Sequence, residues 1–282
     1  MIDLHMHTTA SDGQYTPCQL VRKVAEKNIT VMAITDHDTY DGLEEGKKEA
    51  AKAGITFVPG IELNIERPGC EFHLLGLGLK SISKELKEVV NSLQKSRDDR
   101  NQYIVDKMRE EGIQVTLEDI QNEFPCQVIG RPHFAAWLEN HGIVKHRQQA
   151  FDKYLARGRP WHVDRVGANL DEAVQAIYEC GGIPVVAHPL SLYLSWTKLE
   201  VVLNDFHERG VAGLEAYHPG ARVVECKRLE EMAHRLGMFV TGGSDFHGEA
   251  VRHDRKPGHA AGEKEIEDRL WFEELEPALK KL

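Results

Sequence analysis

The sequence lacks any apolar run near the roughly 20 residues that a membrane-spanning helix needs. No basic and apolar leader precedes the first strand pattern, which starts at Ile2. We therefore expect a cytoplasmic protein with no membrane partner. Internal repeats and low-complexity tracts are absent as well, and the 282 residues are enough to bury a full core.

Cysteine is scarce and poorly spaced for cross-linking. The five cysteines are odd in number, far apart and free of any Cys-x-x-Cys pair. This spacing argues against a disulfide framework and against a zinc knuckle, so we interpret the thiols as buried or incidental. They are Cys18, Cys70, Cys126, Cys180 and Cys226.

Positive charge is also in short supply. The chain has 35 Lys and Arg against 45 Asp and Glu, which is a formal net charge of −10. Long nucleic acid is held by many cationic contacts to phosphates, so a broad nucleic-acid surface is disfavoured. Several carboxylates are candidate metal ligands, however, and bound dications would neutralise them. The site can therefore still attract a compact phosphate.

The hydrophobic periodicity predicts an α/β protein. Strand patterns alternate with helical patterns over the first eighty residues and again from residue 170, which is typical of parallel βα units. We predict about seven parallel strands. They cover residues 2–7, 29–35, 55–61, 72–79, 183–187, 211–217 and 238–243.

The pattern between these two parts of the chain is helical. We predict that residues 95–160 form an inserted helical subdomain that contributes to substrate binding. Residues 1–94 and 161–282 then form the barrel. A segment rich in charge, His and Gly, residues 249–264, is expected to be a mobile loop beside the functional site.

Metal-ligating side chains follow hydrophobic runs at five places. Because functional groups of α/β barrels collect at the C-terminal ends of the strands, these residues predict one polynuclear metal site. His5 and His7 alternate with Leu4 and Met6, so both imidazoles lie on one face of a strand. A single such pair could be two surface histidines, but the repetition favours metal binding. The five segments are His5-Met6-His7, Asp36-His37-Asp38, Gly60-Ile61-Glu62, Ala187-His188-Pro189 and Ser244-Asp245-Phe246-His247.

Taken in order, these segments resemble the motifs of the PHP family of metal-dependent phosphoesterases, named for its polymerase and histidinol phosphatase members. The series includes Asp-Leu-His-Met-His-Thr-Thr-Ala-Ser-Asp-Gly, Ile-Thr-Asp-His-Asp, Pro-Gly-Ile-Glu, Ala-His-Pro and Gly-Ser-Asp-Phe-His. The resemblance implies a distorted seven-stranded (β/α) barrel, the PHP fold, that holds a trinuclear metal site. The implied ligands are His5, His7, Asp12, His37, Glu62, His73, His188, Asp245 and His247.

The ligand types indicate which ions would bind. Imidazoles and carboxylates without thiolates suit Mn, Fe or Zn, and we expect two to three divalent ions, with Mn preferred. Glu62 is the candidate that bridges two of them, since one carboxylate can share its two oxygens. Metal ions about 3.5–4 Å apart can lower the pKa of a bridging water and clamp the oxygens of an in-line displacement at phosphorus. No protein nucleophile is then required.

Two further residues are candidates for catalysis. Asp36, which precedes His37, could orient a ligand imidazole, or it could cap the next helix. His218, just past Glu215 at a predicted strand end, could donate a proton to the leaving oxygen or bind phosphate. The alternative for His218 is an ordinary surface histidine in a loop.

The predicted insertion carries candidate phosphate-binding residues. Arg131 and His133 lie at a predicted helix start, where backbone N–H groups and an Arg fork can hold a phosphate. Taken alone, Arg131 would be an exposed charge at a helix end. The Gly-Arg-x-His-Phe-Ala stretch nevertheless resembles that of the bacterial 3',5'-nucleoside bisphosphate phosphatases, some of which also trim short RNA from the 5' end. That resemblance implies that Arg131, His133 and Arg159, with His218, bind the substrate.

The expected activity is therefore hydrolysis of the 3'-phosphate of a small nucleotide such as pAp, with short 5'-phosphorylated RNA as a second substrate. Two alternatives remain open. One is a histidinol phosphate phosphatase, which runs the same chemistry on another ester. The other, of a different class, is a catalytically silent metal-binding regulatory module. No protein partner is implied.

Overall fold

The computed structural model describes residues 1–67, 70–124, 126–164 and 166–282. Its main sheet has seven strands, and each strand is hydrogen-bonded to the next in chain order. The strands are β1 (Ile2–Asp3), β2 (Val31–Ile34), β3 (Thr56–Arg67), β4 (Cys70–Leu77), β5 (Ile183–Val186), β6 (Gly213–Tyr217) and β7 (Phe239–Gly242).

The prediction that all seven strands are parallel is wrong for β4. This strand runs antiparallel to both β3 and β5, whereas the other neighbouring pairs are parallel. A parallel neighbour needs a crossover of a dozen or more residues, but only residues 68 and 69 separate β3 from β4. The chain must therefore reverse. As a result, the start of β4, which carries His73, lies beside the C-terminal half of β3, where His73 pairs with Asn64.

The sheet closes almost completely into a barrel. Beyond β1, Met6 forms an isolated parallel bridge with Phe246, which follows β7. The His7 N–H donates to the Phe246 carbonyl over 2.9 Å, and the Asp245 N–H donates to the His5 carbonyl over the same distance. The first and last segments of the chain thus lie side by side, and the predicted distorted seven-stranded α/β barrel is confirmed.

Ten α-helices accompany the strands in the described ranges. The first begins as its sequence predicts, with Thr16 in a capping box, Pro17 in the first turn and the apolar face of Leu20, Val21 and Val24 buried. The helices are α1 (Pro17–Glu26), α2 (Leu43–Ala53), α3 (Lys84–Glu110), α4 (Leu117–Glu123), α5 (Arg131–Asn140), α6 (Arg147–Ala150), α7 (Leu170–Glu179), α8 (Trp196–Glu208), α9 (Val223–Arg235) and α10 (Glu276–Lys280).

The apolar side chains form two separate clusters. The larger cluster lies between the main sheet and its helices, and the smaller one draws its buried members from residues 104–161. Helix α3 contributes to both, because Leu86, Val90 and Leu93 belong to the first cluster, and Ile104 and Met108 to the second. The subdomain boundaries at residues 95 and 160 remain a prediction, and the change of cluster along α3 falls close to the first of them.

The segment 249–264 contains turns and then half of a small hairpin. Strand β8 (His259–Ala260) pairs antiparallel with β9 (Lys264–Glu265), which the sequence patterns did not predict. Its predicted mobility remains a prediction. Among the described residues, no helix has the length and apolar content to cross a bilayer. Cys18, Cys126, Cys180 and Cys226 are free thiols, while the Cys70 side chain lies outside the described part.

Candidate metal centre

The buried carboxylate of Glu62 lies at the middle of a group of imidazoles. Its Oε2 atom is 3.2 Å from His5 Nε2, 3.2 Å from His7 Nε2 and 3.0 Å from His37 Nδ1. The strand bounds explain this meeting, because His5 follows β1, His37 follows β2 and Glu62 lies in β3, and these strands are parallel neighbours. Residues just past neighbouring parallel strands share one edge of the sheet.

The other oxygen of Glu62 faces a different pair of imidazoles. Oε1 is 2.8 Å from His73 Nδ1 and 3.1 Å from His188 Nε2. His188 follows β5 and has a positive φ of 28°, a backbone conformation that is rare for residues other than glycine. The two oxygens therefore address separate sets of nitrogens, which is the arrangement that a bridging carboxylate requires.

Carboxylates from both ends of the chain complete the cluster. His247 Nε2 lies 3.3 Å from an oxygen of Asp12, and His7 Nε2 lies 3.5 Å from Asp245 Oδ1. Three groups of potential donor atoms each lie within 4.8 Å of one another. They are His7, Asp12, His37 and His247; His5, His7 and Asp245; and His37, Glu62 and His73. The structure thus gathers all nine predicted ligands, and their roles as ligands remain a prediction.

The donor set fits divalent metal ions. Among the described residues, four of its buried atoms have no hydrogen-bond partner: His5 Nε2, both ring nitrogens of His7, and Glu62 Oε2. An unsatisfied buried polar atom costs about 1–3 kcal/mol, so a cluster of them implies a missing partner. Imidazole nitrogens and carboxylate oxygens together suit Mn, Fe or Zn.

Burial and charge shape the protonation of these groups. Burial alone would raise the pKa of Glu62, but the charges of His37, His5 and His73 hold it well below its usual value. Burial would lower the pKa of His7, yet the neighbouring carboxylates of Asp245 and Glu62 raise it to about 10. In His37 burial dominates and lowers the pKa to about 3. The Glu62 carboxylate is thus anionic beside protonated His5 and His7, whose protons metal ions would replace.

Glu215 orients two of the predicted ligands. Its Oε1 lies 2.9 Å from His5 Nδ1, and its Oε2 accepts the His188 N–H over 2.7 Å. Carboxylates that hold the second nitrogen of a ligating His orient the ring toward the metal. The sequence patterns placed Glu215 at a strand end but assigned it no role. A buried Glu inside the apolar run of β6 was the available signal.

The described side-chain hydrogen bonds of Asp36 go to the turn that follows β1. The buried Asp36 carboxylate accepts from the Thr8 N–H over 2.7 Å, from the Thr8 hydroxyl over 2.6 Å and from the Ser11 hydroxyl. These three hydrogen bonds hold in place the turn that carries Asp12. The catalytic role of Asp36 remains a prediction, and its side-chain contacts are those of a residue that positions the turn carrying Asp12.

A cavity of about 510 Å³ opens beside the cluster and is lined by six of the predicted ligands. His218 also lines it and is 7% exposed. The Gly220 N–H donates to His218 Nδ1 over 3.0 Å, so Nδ1 is an acceptor and Nε2 carries the proton of the neutral ring. That Nε2 lies 3.5 Å from Asp245 Oδ2. His218 therefore holds a proton at the edge of the cluster.

The predicted substrate residues of the insertion divide into two sets. His133 lines the cavity, and its Nδ1 accepts the Gly130 N–H over 3.0 Å. Neither Arg131 nor Arg159 is among the described residues that line it. Arg131 Nη1 lies 3.3 Å from His162 Nδ1, and Arg159 is exposed. The segment predicted as an insertion nevertheless contacts the turn that carries Asp12, because the Val128 N–H donates to the Ser11 carbonyl over 2.9 Å.

The sequence patterns assigned no role to Arg252, Arg255 or Tyr193, which line the cavity. Arg252 and Arg255 come from the segment predicted as a mobile loop, and Tyr193 is the fourth residue after the Ala-His-Pro motif. Tyr193 is 93% exposed and has a positive φ of 52°. No periodic pattern marks such loop residues, because their positions depend on turns rather than on a repeating apolar face.

The fold and this cluster together define a metal-dependent phosphoesterase. The chain belongs to the PHP-domain family, whose profile matches residues 3–157. The family prediction from the sequence motifs is thereby confirmed.

Curated relatives cover most of the chain. A 3',5'-nucleoside bisphosphate phosphatase of Chromobacterium violaceum is 32% identical over 87% of this chain and 87% of its own. The 5'-3' exoribonuclease Rnm of Escherichia coli is 31% identical over 87% of this chain and 84% of its own. Among solved structures, an amidohydrolase from Chromobacterium violaceum with bound sulfate and no metal superposes with a TM-score of 0.81. That chain is 32% identical, with 87% of each chain covered.

Proposed function

We propose that this phosphoesterase removes the 3'-phosphate from nucleoside 3',5'-bisphosphates, such as pAp, and leaves the nucleoside 5'-phosphate. Short 5'-phosphorylated RNA is the second substrate. The observation that carries the proposal is the cluster of imidazoles and carboxylates around Glu62 at the cavity. The relatives named as a bisphosphate phosphatase and as an exoribonuclease supply the substrate class.

The ions are expected to be two or three in number, with Mn preferred. Bound divalent ions would lower the pKa of a water and polarise the phosphoryl oxygens. Within the chain, Glu62 presents one oxygen to each set of imidazoles, and Asp245 presents Oδ1 to His5 and His7. Glu215 holds the ring of His5, so the imidazole nitrogens are oriented before substrate arrives.

His218 is positioned to supply the proton that the leaving oxygen takes up. In the hydrolysis, the oxygen of a water bonds to phosphorus and that water gives up a proton to the solvent, the bond from phosphorus to the ester oxygen breaks, and the leaving 3'-oxygen takes up a proton from His218, which the solvent then restores. The proton on His218 Nε2 faces the oxygen of Asp245 at the cavity and is buried from bulk water. A general acid in this position contributes typically 10²–10⁴-fold to a rate.

The cavity favours a nucleotide over a smaller ester. Exposed Tyr193 and its neighbour Leu190 line the cavity and offer an apolar surface. A base that stacks on an aromatic ring gains about 1–3 kcal/mol. The cavity volume of about 510 Å³ lies in the range of small-molecule sites. Because the chain is acidic, affinity is not expected to keep rising as nucleotides are added.

The second phosphate of the substrate is assigned to the insertion. His133 lies on the cavity wall at the start of α5, and its Nε2 lies 3.2 Å from the Cys126 sulfur. Arg131 lies two residues away, and its Nη1 contacts His162. This assignment supports a substrate with two phosphates, which histidinol phosphate does not have.

A phosphate-release assay tests the proposal. Metal-stripped protein is reloaded with Mn²⁺ and given pAp, AMP, histidinol phosphate or a 5'-phosphorylated tetranucleotide, and the products are separated by chromatography. We expect pAp to yield AMP at the highest kcat/KM. Accumulation of adenosine 3'-phosphate would refute the direction of cleavage. Faster turnover of histidinol phosphate than of pAp would show that the protein is a histidinol phosphate phosphatase instead.

A further inference from the structure

The segment after His247 contributes two arginines to the cavity. The chain turns immediately past the last predicted ligand, because the Val251 and Arg252 N–H groups both donate to the Gly248 carbonyl. This turn brings Arg252 and Arg255 to the cavity wall. Nothing in the family motifs or in the chemistry described above uses either side chain.

Arg255 is an unusual charged residue because it is only 7% exposed. Arginine is almost never so buried unless it is paired. Its Nη1 donates to Asp254 over 2.8 Å, but that aspartate is half exposed. Among the described residues, Arg255 Nε has no hydrogen-bond partner. A guanidinium has five N–H donors in a planar fork, so Arg255 retains capacity for an anion at the cavity.

Arg252 and His218 converge on one oxygen of Asp245. Arg252 Nη1 lies 3.1 Å from Asp245 Oδ2, and His218 Nε2 lies 3.5 Å from the same atom. The other oxygen of this carboxylate faces His5 and His7. Asp245 thus lies between His5 and His7 on one side and the N–H donors of Arg252 and His218 on the other.

Arg255 also lies near His218, since a Cβ at Gly220 would lie 2.9 Å from His218 Nδ1 and 3.8 Å from Arg255 Nη2. All three side chains line the same cavity. The one N–H of His218 is assigned to the leaving oxygen, so we call the two arginines beside it, Arg252 and Arg255, the donor wall.

We infer that the donor wall binds the non-bridging oxygens of the phosphoryl group that is hydrolysed. This inference rests on the proposed function. The wall adjoins Asp245, a predicted metal ligand, so an anion bound there lies next to the reacting centre rather than at the second phosphate assigned to His133. Arginine forks match phosphate oxygens, and preorganised donors in a site shielded from water stabilise the charge that develops during phosphoryl transfer.

Substitution of each arginine tests the inference. Arg255→Met and Arg252→Met remove the donors and keep an unbranched stem, and Arg235→Met on the exposed end of α9 is the matched control. In Mn²⁺-loaded protein, binding of inorganic phosphate is measured by calorimetry. The kcat/KM is measured for pAp and for p-nitrophenyl phosphate, which has a single phosphate. Metal content is measured in each variant.

We expect Arg255→Met to weaken phosphate binding at least about 10-fold and to lower kcat/KM on both substrates by a similar factor, in line with the loss of a charge-assisted contact. Metal content and the control should be unchanged. Unchanged phosphate affinity in both arginine variants would overturn the inference, as would a loss confined to pAp, which would assign the arginines to the second phosphate.

Folding and substrate identity are separated by two further measurements. If Arg255→Met lowers the melting temperature sharply, Arg255→Lys is measured instead. This variant keeps the charge but loses the planar fork of N–H donors. It should bind phosphate more weakly than the wild-type protein, and wild-type affinity would overturn the inference. If the wild-type protein binds phosphate through the arginines but does not hydrolyse pAp, the proposed substrate fails while the donor wall stands.

Discussion

Single residues at the centre of the cluster have distinct tasks that their contacts reveal. Glu62 touches five imidazoles, whereas Glu215 touches the outer nitrogen of His5 and the backbone of His188. The first contact pattern suits a bridging ligand, and the second suits a carboxylate that orients ligands. Both glutamates are buried in the same site, but Glu62 is placed to bind the metal ions directly, whereas Glu215 acts on them through the ligands that it orients.

The bridging role of Glu62 predicts a large effect of Glu62→Gln. A neutral amide cannot share two anionic oxygens between cations, so metal content and turnover should fall together, with turnover reduced at least ~100-fold. Elemental analysis and the pAp assay measure the two quantities. Glu66→Gln, on the exposed part of the same strand, is the matched control. Near-normal turnover in Glu62→Gln would exclude the bridging role.

The exposed ring of Tyr193 predicts a selective effect on substrate binding. Tyr193→Ala should raise the KM for pAp about 5- to 150-fold, which corresponds to the loss of about 1–3 kcal/mol of base stacking. The kcat for pAp and both constants for p-nitrophenyl phosphate should stay close to the wild-type values. Tyr193→Phe keeps the ring and should behave like wild type. An equal loss with both substrates would show that the ring supports the turn instead.

At the scale of elements, α3 ties the insertion to the metal centre. Arg97 on α3 is nearly buried and pairs with Asp38, which directly follows the predicted ligand His37. The Gln94 side chain, also on α3, donates to the Asp38 carbonyl over 3.1 Å. Asp38 has a positive φ of 51°, so this contact holds a turn that few residues adopt unaided.

Loss of this ion pair should destabilise the fold. Arg97→Met removes a cation from the buried Asp38 carboxylate, and breaking a buried pair costs about 3–5 kcal/mol. Denaturant unfolding of the metal-free protein should show a decrease of up to that size. The double variant Arg97→Met with Asp38→Asn removes the buried carboxylate charge as well and should recover part of the loss. A single variant as stable as wild type would mean that the pair contributes no net stability.

At the scale of the whole molecule, the barrel joins the two ends of the chain through the site. His5 and His7 come from the first strand segment, and Asp245 and His247 follow the last one. Their contacts lie where Met6 and Phe246 close the sheet. Ions bound between these residues would therefore hold the barrel closed in addition to serving the reaction.

Metal removal should consequently lower thermal stability. A ligand at 100 times its dissociation constant stabilises the folded state by about 2.7 kcal/mol, so chelation should lower the melting temperature by several degrees. Calorimetry with EDTA and then with added Mn²⁺ measures the loss and its recovery. Glu62→Gln should show little response to EDTA. A wild-type melting temperature that does not change when EDTA is added would contradict a metal site at the barrel closure.

The fold was predictable in most of its elements. Thr16 and Pro17 predicted the start of α1, and Ser83 predicted the start of the long helix α3, because caps and apolar stripes are encoded within a few residues. The strand direction of β4 was predicted wrongly, and the hairpin of β8 and β9 was not predicted. Both features depend on which strand the chain can pair with after a short turn. The local periodicity of apolar residues does not determine that pairing.

The sequence by itself determined the nature of the site. The order of His, Asp and Glu after successive strand patterns predicted one polynuclear metal site, because parallel strands deliver their C-terminal residues to one edge. The motifs in that order identified the family, and the resemblance implied the nine ligands. Only the tertiary structure decided which side chains support them. Glu215 meets His5 across 210 positions of the chain, and Arg255 becomes a buried donor on the cavity wall. Such partners are chosen by packing between distant segments, whose distances and burial no local pattern of residues contains.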